Sequence, residues 1–163
     1  MIRVALAAII TAAFMSPVAA AQALPPIFVF PREDDDSARL CQVSNSSAVD
    51  AVKAALRYNG IQVASQADYR ADKAVGATVT LVAVESSVGS NTIGCAVSYR
   101  LSLDNFQEIF DVVTQKRFNT TVVFCSRSGI AIGVRAGMQT RINDLLREAA
   151  DECVSDYEDL LRK

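Results

Sequence analysis

The residues with the clearest chemical capacity in this 163-residue chain are four cysteines, Cys41, Cys95, Cys125 and Cys153. None belongs to a C-x-x-C pair, so neither a dithiol redox motif nor a zinc ribbon is encoded. Cys95 falls on the apolar side of an alternating segment, and Cys153 on the apolar stripe of a helical one. That setting suits structural sulfur, because a reactive thiol wants an exposed, electropositive site. An even count in an exported chain points to two disulfides with three possible connectivities; one bond plus two buried thiols, or none, are the remaining options. If the last two strands pair antiparallel and residues 104–117 join their facing ends, Cys95 and Cys125 meet at the other end of the sheet. The expected bonds are therefore Cys95–Cys125 and, by elimination, Cys41–Cys153.

The chain contains no histidine. Ser–His and Cys–His nucleophilic mechanisms are excluded within this polypeptide, and so is every His-ligated metal site. Tryptophan is absent too, which removes the strongest aromatic partner for a quaternary ammonium ligand. Glu33-Asp34-Asp35-Asp36 offers oxygens of the kind calcium takes, but the acids are consecutive and lack the spacing, Gly and distal Glu of an EF-hand. A solvated acidic loop is expected. Glu85 with Asp104 or Glu108 could form a hydrolytic carboxylate pair only if the fold brought them within about 5–10 Å; otherwise they are surface residues at strand ends. Gly129, Gly133 and Gly137, with Arg127, Arg135 and Arg141 nearby, could bring backbone amides to an anion at a helix start. No Lys-Ser or Lys-Thr follows, so this is no P-loop, and a turn with close helix–sheet packing is expected. Asn45-Ser46-Ser47 and Asn119-Thr120-Thr121 match the glycosylation acceptor pattern, which matters only in a eukaryotic host. No catalytic, cofactor-binding or metal-binding set emerges, and no cofactor is expected.

The N-terminus decides the compartment. Arg3 precedes an apolar run from Val4 to Met15, Pro17 breaks it, and Ala21-Gln22-Ala23 offers a small-x-small cleavage site. Residues 1–23 read as a cleavable signal peptide of bacterial style, with a cut one or two residues earlier as the variant and an uncleaved anchor as the alternative. No cysteine follows the apolar run closely enough to be lipidated at that cut. Residues 24–163 then form a single domain of ordinary size, with no further span. Losing Arg3 leaves 15 basic residues against 18 acidic ones, a net charge of about −3. Such a chain has no global attraction for nucleic acid or anionic membranes. The expected location is periplasmic or secreted.

The elements that must position these residues follow from periodicity. Ile27–Phe30 is a short strand between prolines. Ser44–Ser47 can cap a helix, with Ser47 and Asp50 close to a capping box; Val49, Val52 and Leu56 then recur at helical spacing, and Asn59-Gly60 stops it. Ile61–Ala64 is a strand candidate, 66–73 a turn of helix, and Ala77–Val84 a central strand. Ser86–Asn91 reads as a flexible loop inside a hairpin, before the clean alternation of Cys95, Val97, Tyr99, Leu101 and Leu103. In 104–117, Phe106, Ile109, Phe110 and Val113 fall at helical spacing, although Val112 and Val113 suit a strand equally. Asn119–Cys125 is a further strand, and a helix from Met138 to Leu161 carries the stripe Met138, Ile142, Leu145, Leu146, Ala149, Cys153, Tyr157 and Leu160. The fold class is α/β (α+β), a mixed sheet of about five strands with two helices on one face.

This layout resembles the small α/β domains of bacterial envelope assembly proteins, such as the periplasmic domain of curli-secretion channels and related outer-membrane accessory proteins. The resemblance rests on the strand order, the hairpin over 77–103, and a C-terminal helix ending in Asp156, Tyr157 and Leu160. It spans about residues 27–161 as a pattern, brings no residue-level motif, and lacks the lipid-anchoring cysteine many of those proteins carry. The export signal, the compact α/β pattern and the lack of catalytic groups point to a non-catalytic binding or assembly module whose partner is another envelope protein. Two other readings are a small-ligand carrier or carboxylate-dependent enzyme, with a pocket among Glu85, Arg100, Asp104, Glu108 and Arg127, and a secreted inhibitor or effector. The last requires a protruding segment held by a disulfide, for which 104–117 is the candidate.

Overall fold

The computed structural model describes residues 24–31, 36–70, 72–88 and 91–162. The expected leader, 1–23, and Glu33, Asp34 and Asp35 of the acidic run lie outside them. Four strands, β1 (Ile27–Val29), β2 (Val75–Val88), β3 (Asn91–Asp111) and β4 (Lys116–Gly133), form one sheet in that spatial order. β1 is parallel to β2, and the other pairs are antiparallel. The helices are α1 (Asp36–Leu40), α2 (Asn45–Tyr58), α3 (Gln66–Arg70) and α4 (Met138–Leu161). The mixed α+β class is as expected, with four strands where about five were counted. The missing one is Ile61–Ala64, which makes a single bridge from Val63 to Ile27 before α3 begins.

Strand parity sets the layers. Odd-numbered residues of β2 and β3 (Val79, Leu81, Val97, Leu101, Leu103) are buried against α2 and α4. The helices meet them with Val49, Val52 and Leu56 from α2 and Ile142, Leu146 and Cys153 from α4. The α2 cap is Ser44, whose hydroxyl accepts the Ser47 N–H at 3.4 Å, so the Ser47–Asp50 box is not the start of the helix. Gly60, at φ +75, ends that helix in the left-handed region, which glycine enters without a Cβ penalty. Asn59 then bonds Asp151 of α4 at 2.7 Å, tying the two helices. The stripe read for α4 is buried except for Leu145, which is partly covered, and Leu160, which is exposed.

The largest departure lies at 104–117, which is no helix. β3 runs on to Asp111, a turn covers 112–115, and β4 returns from Lys116. The apparent helical spacing of Phe106, Ile109, Phe110 and Val113 arises because both faces of this ribbon carry large apolar side chains. The strands also reach into the loop expected at Ser86–Asn91, to Val88 on one side and from Asn91 on the other.

The long hairpin overturns the expected sulfur pairing. The bonds are Cys41–Cys95 and Cys125–Cys153, with Cα–Cα distances of 5.8 and 5.5 Å. Cys125 is opposite Leu103, whereas Cys95 is opposite Gly133. From Cys95 to Leu103 is eight residues, so Cys95 and Cys125 lie about 27 Å apart along the ladder at ~3.4 Å per residue. The inference failed because β4 continues past Cys125 to Gly133, which puts Cys125 in mid-strand. Two disulfides were expected, and two are present.

One glycine in β4 has a steric purpose. Tyr99 stands opposite Gly129, and a Cβ there would lie 2.7 Å from the tyrosine hydroxyl oxygen. The ring covers the glycine backbone, as in aromatic rescue of a strand glycine. Gly129→Ala should cost about 1–3 kcal/mol in urea unfolding, as overpacking does. In a Tyr99→Ala background that cost should disappear; a cost that persisted would place it in the strand backbone.

Candidate functional site: an apolar arm beyond the sheet

β2 stops pairing with β3 at Gly76–Asp104, and β3 and β4 continue alone. From Asn105–Val122 to Asp111–Lys116 they form a two-stranded arm about 20 Å long. Its tip is closed by Asp111, whose carboxylate accepts the Thr114 hydroxyl at 2.5 Å and the Val113 N–H at 2.9 Å. Those bonds, the Thr114 hydroxyl first, hold the Asp111 carboxyl below its ordinary range. Gln115 takes φ 53 to complete the turn.

The arm presents large apolar side chains to water among polar and charged ones such as Gln107, Glu108, Lys116 and Arg117. Phe106 is 63% exposed, Phe110 57%, Val112 77% and Val113 88%, and Phe118 is 47% exposed. Its one ion pair, Arg117 to Glu108 at 3.3 Å, is solvent-exposed and contributes little to its shape. An isolated hairpin is marginal in water, so the root has to hold it. Opposite the Leu103–Asp104 step, Phe124 is the extra residue of a β-bulge, which turns Phe124 and Cys125 toward α4. Phe124 packs on Tyr157 at a ring separation of 5.0 Å, and Cys125 is bonded to Cys153. Arg127 then pairs with Glu152 at 2.6 Å and with Asp156.

Asp104 sits at the base of the arm. Burial pushes its carboxyl above the ordinary 3.8, against a weak hydrogen bond from Ser102. The folded state therefore holds this proton more tightly than the unfolded chain, and stability falls as pH rises through the range just above 3.8. Asp104→Asn should be more stable than the parent at about pH 7, and the difference should vanish near pH 3. Thermal melts at both pH values check this.

The sheet face turned away from the helices is polar in the middle and apolar at the end remote from the arm. Thr78, Thr80, Arg100, Ser102, Ser126 and Ser128 form the middle, with Arg100 bonded to Ser126 at 3.1 Å, and the exposed Val82 and Ile130 flanking Ser98 begin the apolar end. At the remote end Val84, Ala96 and Ile132 stand in register and line a shallow depression of about 360 Å³ with Val134.

The other sequence candidates do not converge. Glu85 is opposite Cys95 and Asp104 opposite Gly76, which sets the two acids about 30 Å apart along β2. Glu108 is on the arm with Arg117. The paired-carboxylate site is therefore not formed. Gly129 and Gly133 lie inside β4, and only Gly137, at φ 83, caps α4. Arg127 is taken by α4 acids, and Arg141 donates to the Ile132 carbonyl at 2.8 Å, so the arginines do not gather around an anion. Asn45 is buried, whereas Asn119 is exposed on the arm. Among the described residues no three of His, Cys, Asp and Glu come together as metal ligands, and no helix is long and apolar enough to cross a membrane.

No protein-family model matches this chain, and no curated protein sequence does. Among solved structures, the chain is similar to the crystal structure of the rare lipoprotein B from Shewanella oneidensis. The identity is 10%, the match covers 83% of this chain and 93% of that one, and the TM-score is 0.32.

Proposed function

We propose that this protein is an exported, non-catalytic binding module of the bacterial cell envelope that docks on another envelope protein through its β3–β4 arm. The observation that carries this reading is the arm itself, a run of large exposed apolar side chains on a rooted, projecting ribbon. Large apolar side chains held in water on both faces of a projecting ribbon suit an interaction element. The leader-like N-terminus and the two disulfides support export. The absence of histidine and the scattering of the acids support a role without catalysis.

A secreted inhibitor or effector is the second reading, and the same arm favours it. It requires a projecting segment held by a disulfide, and Cys125–Cys153 sits at the root of this one. The two readings differ in the partner, a membrane-associated envelope protein in the first and a soluble target in the second.

The test is site-resolved photocrosslinking in the native envelope, with the crosslinking side chain placed at Val113 on the arm or at Asp144 on the outer side of α4. One dominant envelope protein captured from Val113 and not from Asp144 is the expected result. Capture of a soluble protein from Val113 selects the inhibitor reading. Equal capture from both positions, or none, overturns the arm as the contact element.

A further inference from the structure

A second feature lies at the opposite edge of the sheet. The outer side of β1 borders a groove of about 470 Å³, within the size range of small-ligand sites. Phe28, Pro31, Val63 and Ala64 supply its apolar walls, and Lys53 and Arg57 of α2 supply its charge. The Phe28 ring is held by stacking on Tyr69, at a centroid distance of 5.4 Å.

Three sets of hydrogen-bond donors border the groove. Lys53 and Arg57 are four residues apart and share one face of the helix. Lys53 is only 30% exposed, yet its carboxylate partner, Asp50, is 3.5 Å away and 75% exposed. Arg57 has no ion pair among the described residues. The third is backbone. The Pro26 carbonyl and the Phe30 N–H bond to β2, so the groups of Ile27 and Val29 face outward. Gln62 and Ala64 meet those of Ile27, but Val29 has no such partner among the described residues. At the other end of the groove, Asp68 is committed to Ser65, accepting its hydroxyl at 2.6 Å and its N–H at 3.1 Å. The groove is thus cationic at α2 and apolar along β1.

We propose that this groove binds a small amphiphilic carboxylate, with its apolar chain along Phe28, Pro31 and Val63 and its carboxylate between Lys53 and Arg57. Arg57 offers the planar fork that takes a carboxylate in two parallel hydrogen bonds. Lys53 adds a second positive charge that its exposed partner Asp50 releases at little cost. The proposal is independent of the arm.

The test is titration of the full chain with sodium octanoate into the millimolar range, followed through backbone amide resonances, with 1-octanol and acetate as controls. Saturable shifts are expected at Val29, Val63 and Ala64, with 1-octanol and acetate each weaker by about tenfold or more, since each lacks one half of the recognition. Lys53→Gln with Arg57→Gln should weaken octanoate by about tenfold or more and leave the thermal midpoint unchanged. Octanol binding as well as octanoate, shifts centred on the arm, or an affinity indifferent to the double variant would each overturn the proposal. Shortening the arm should leave octanoate binding intact, which separates a failure here from a failure of the arm reading.

Discussion

Replacing Cys41 and Cys95 together with serine is expected to lower unfolding stability by about 4 kcal/mol, and replacing Cys125 with Cys153 by about 3.5 kcal/mol. The values follow from the loop-closure entropy of links spanning 54 and 28 residues. All four cysteines are buried, so the serine hydroxyls put in their place add a desolvation cost to these values. A domain of this size has about 5–15 kcal/mol in total, so losing both bonds should leave it largely unfolded at ambient temperature. The two removals should differ in kind. Cys41–Cys95 fastens the segment after α1 to the start of β3, and its loss should weaken the whole sheet. Cys125–Cys153 fastens the arm's root to α4, so its loss should speed amide exchange first from Asn105 to Asp111. Peptide mapping without reductant should recover Cys41 with Cys95 and Cys125 with Cys153. A Cys95–Cys125 peptide would mean that the β3–β4 register is wrong, since the present ladder holds those residues about 27 Å apart.

The parts of this fold that were legible in the sequence are those where one face is buried and the other wet. The alternation from Cys95 to Leu103 and the stripe of α4, apart from Leu145 and the exposed Leu160, turned out as read, because burial there obeys a single period. Residues 104–117 defeated that logic for a physical reason. An element apolar on both faces has no single period, so Phe106, Ile109 and Phe110 fit a helix as well as a ribbon. A signal pointing to the ribbon was present in Phe118–Phe124, a run rich in Thr, Val and Phe with no charge and no proline, whose strand could extend to either side. The sulfur pairing failed as a consequence, because it was argued from where β4 was thought to stop. The fifth strand failed because Val63 touches Ile27 at one point before Ser65 and Asp68 turn the chain into α3. The groove beside β1 was invisible for a different reason. Lys53 and Arg57 read as ordinary solvated helix charges until β1 and Val63 are placed beside them.

Shortening the arm should abolish partner capture and barely change the stability of the domain. Deleting residues 106–121 and joining Asn105 to Val122 through Asn-Gly keeps a facing pair at the base of a favoured two-residue hairpin turn. Most of the removed side chains are exposed, so the unfolding free energy should move by no more than about 1 kcal/mol. The binding loss should be far larger. Buried aromatic anchors dominate interface energy, at about 2 kcal/mol or more each, and this arm carries Phe106 and Phe110 on one face and Phe118 on the other. Removing them together should weaken association by about a hundredfold or more. Phe110→Ala alone should cost about ten- to thirtyfold. The same segment is costly to keep unpartnered. β4 is an edge strand, and Phe118–Ser126 leaves nine uncharged residues along it with no proline to block pairing. Such an edge recruits other strands, so the shortened chain should also stay monomeric at concentrations where the parent begins to associate. Sedimentation of both chains, beside crosslinking at a retained arm-root residue such as Val123, reads the two effects separately. A shortened chain that still captures the same envelope protein would move the contact to the apolar end of the sheet around Val84 and Ile132. An arm that proved dispensable for both capture and association would have to be explained by folding alone, and its exposed phenylalanines give it almost nothing to contribute there.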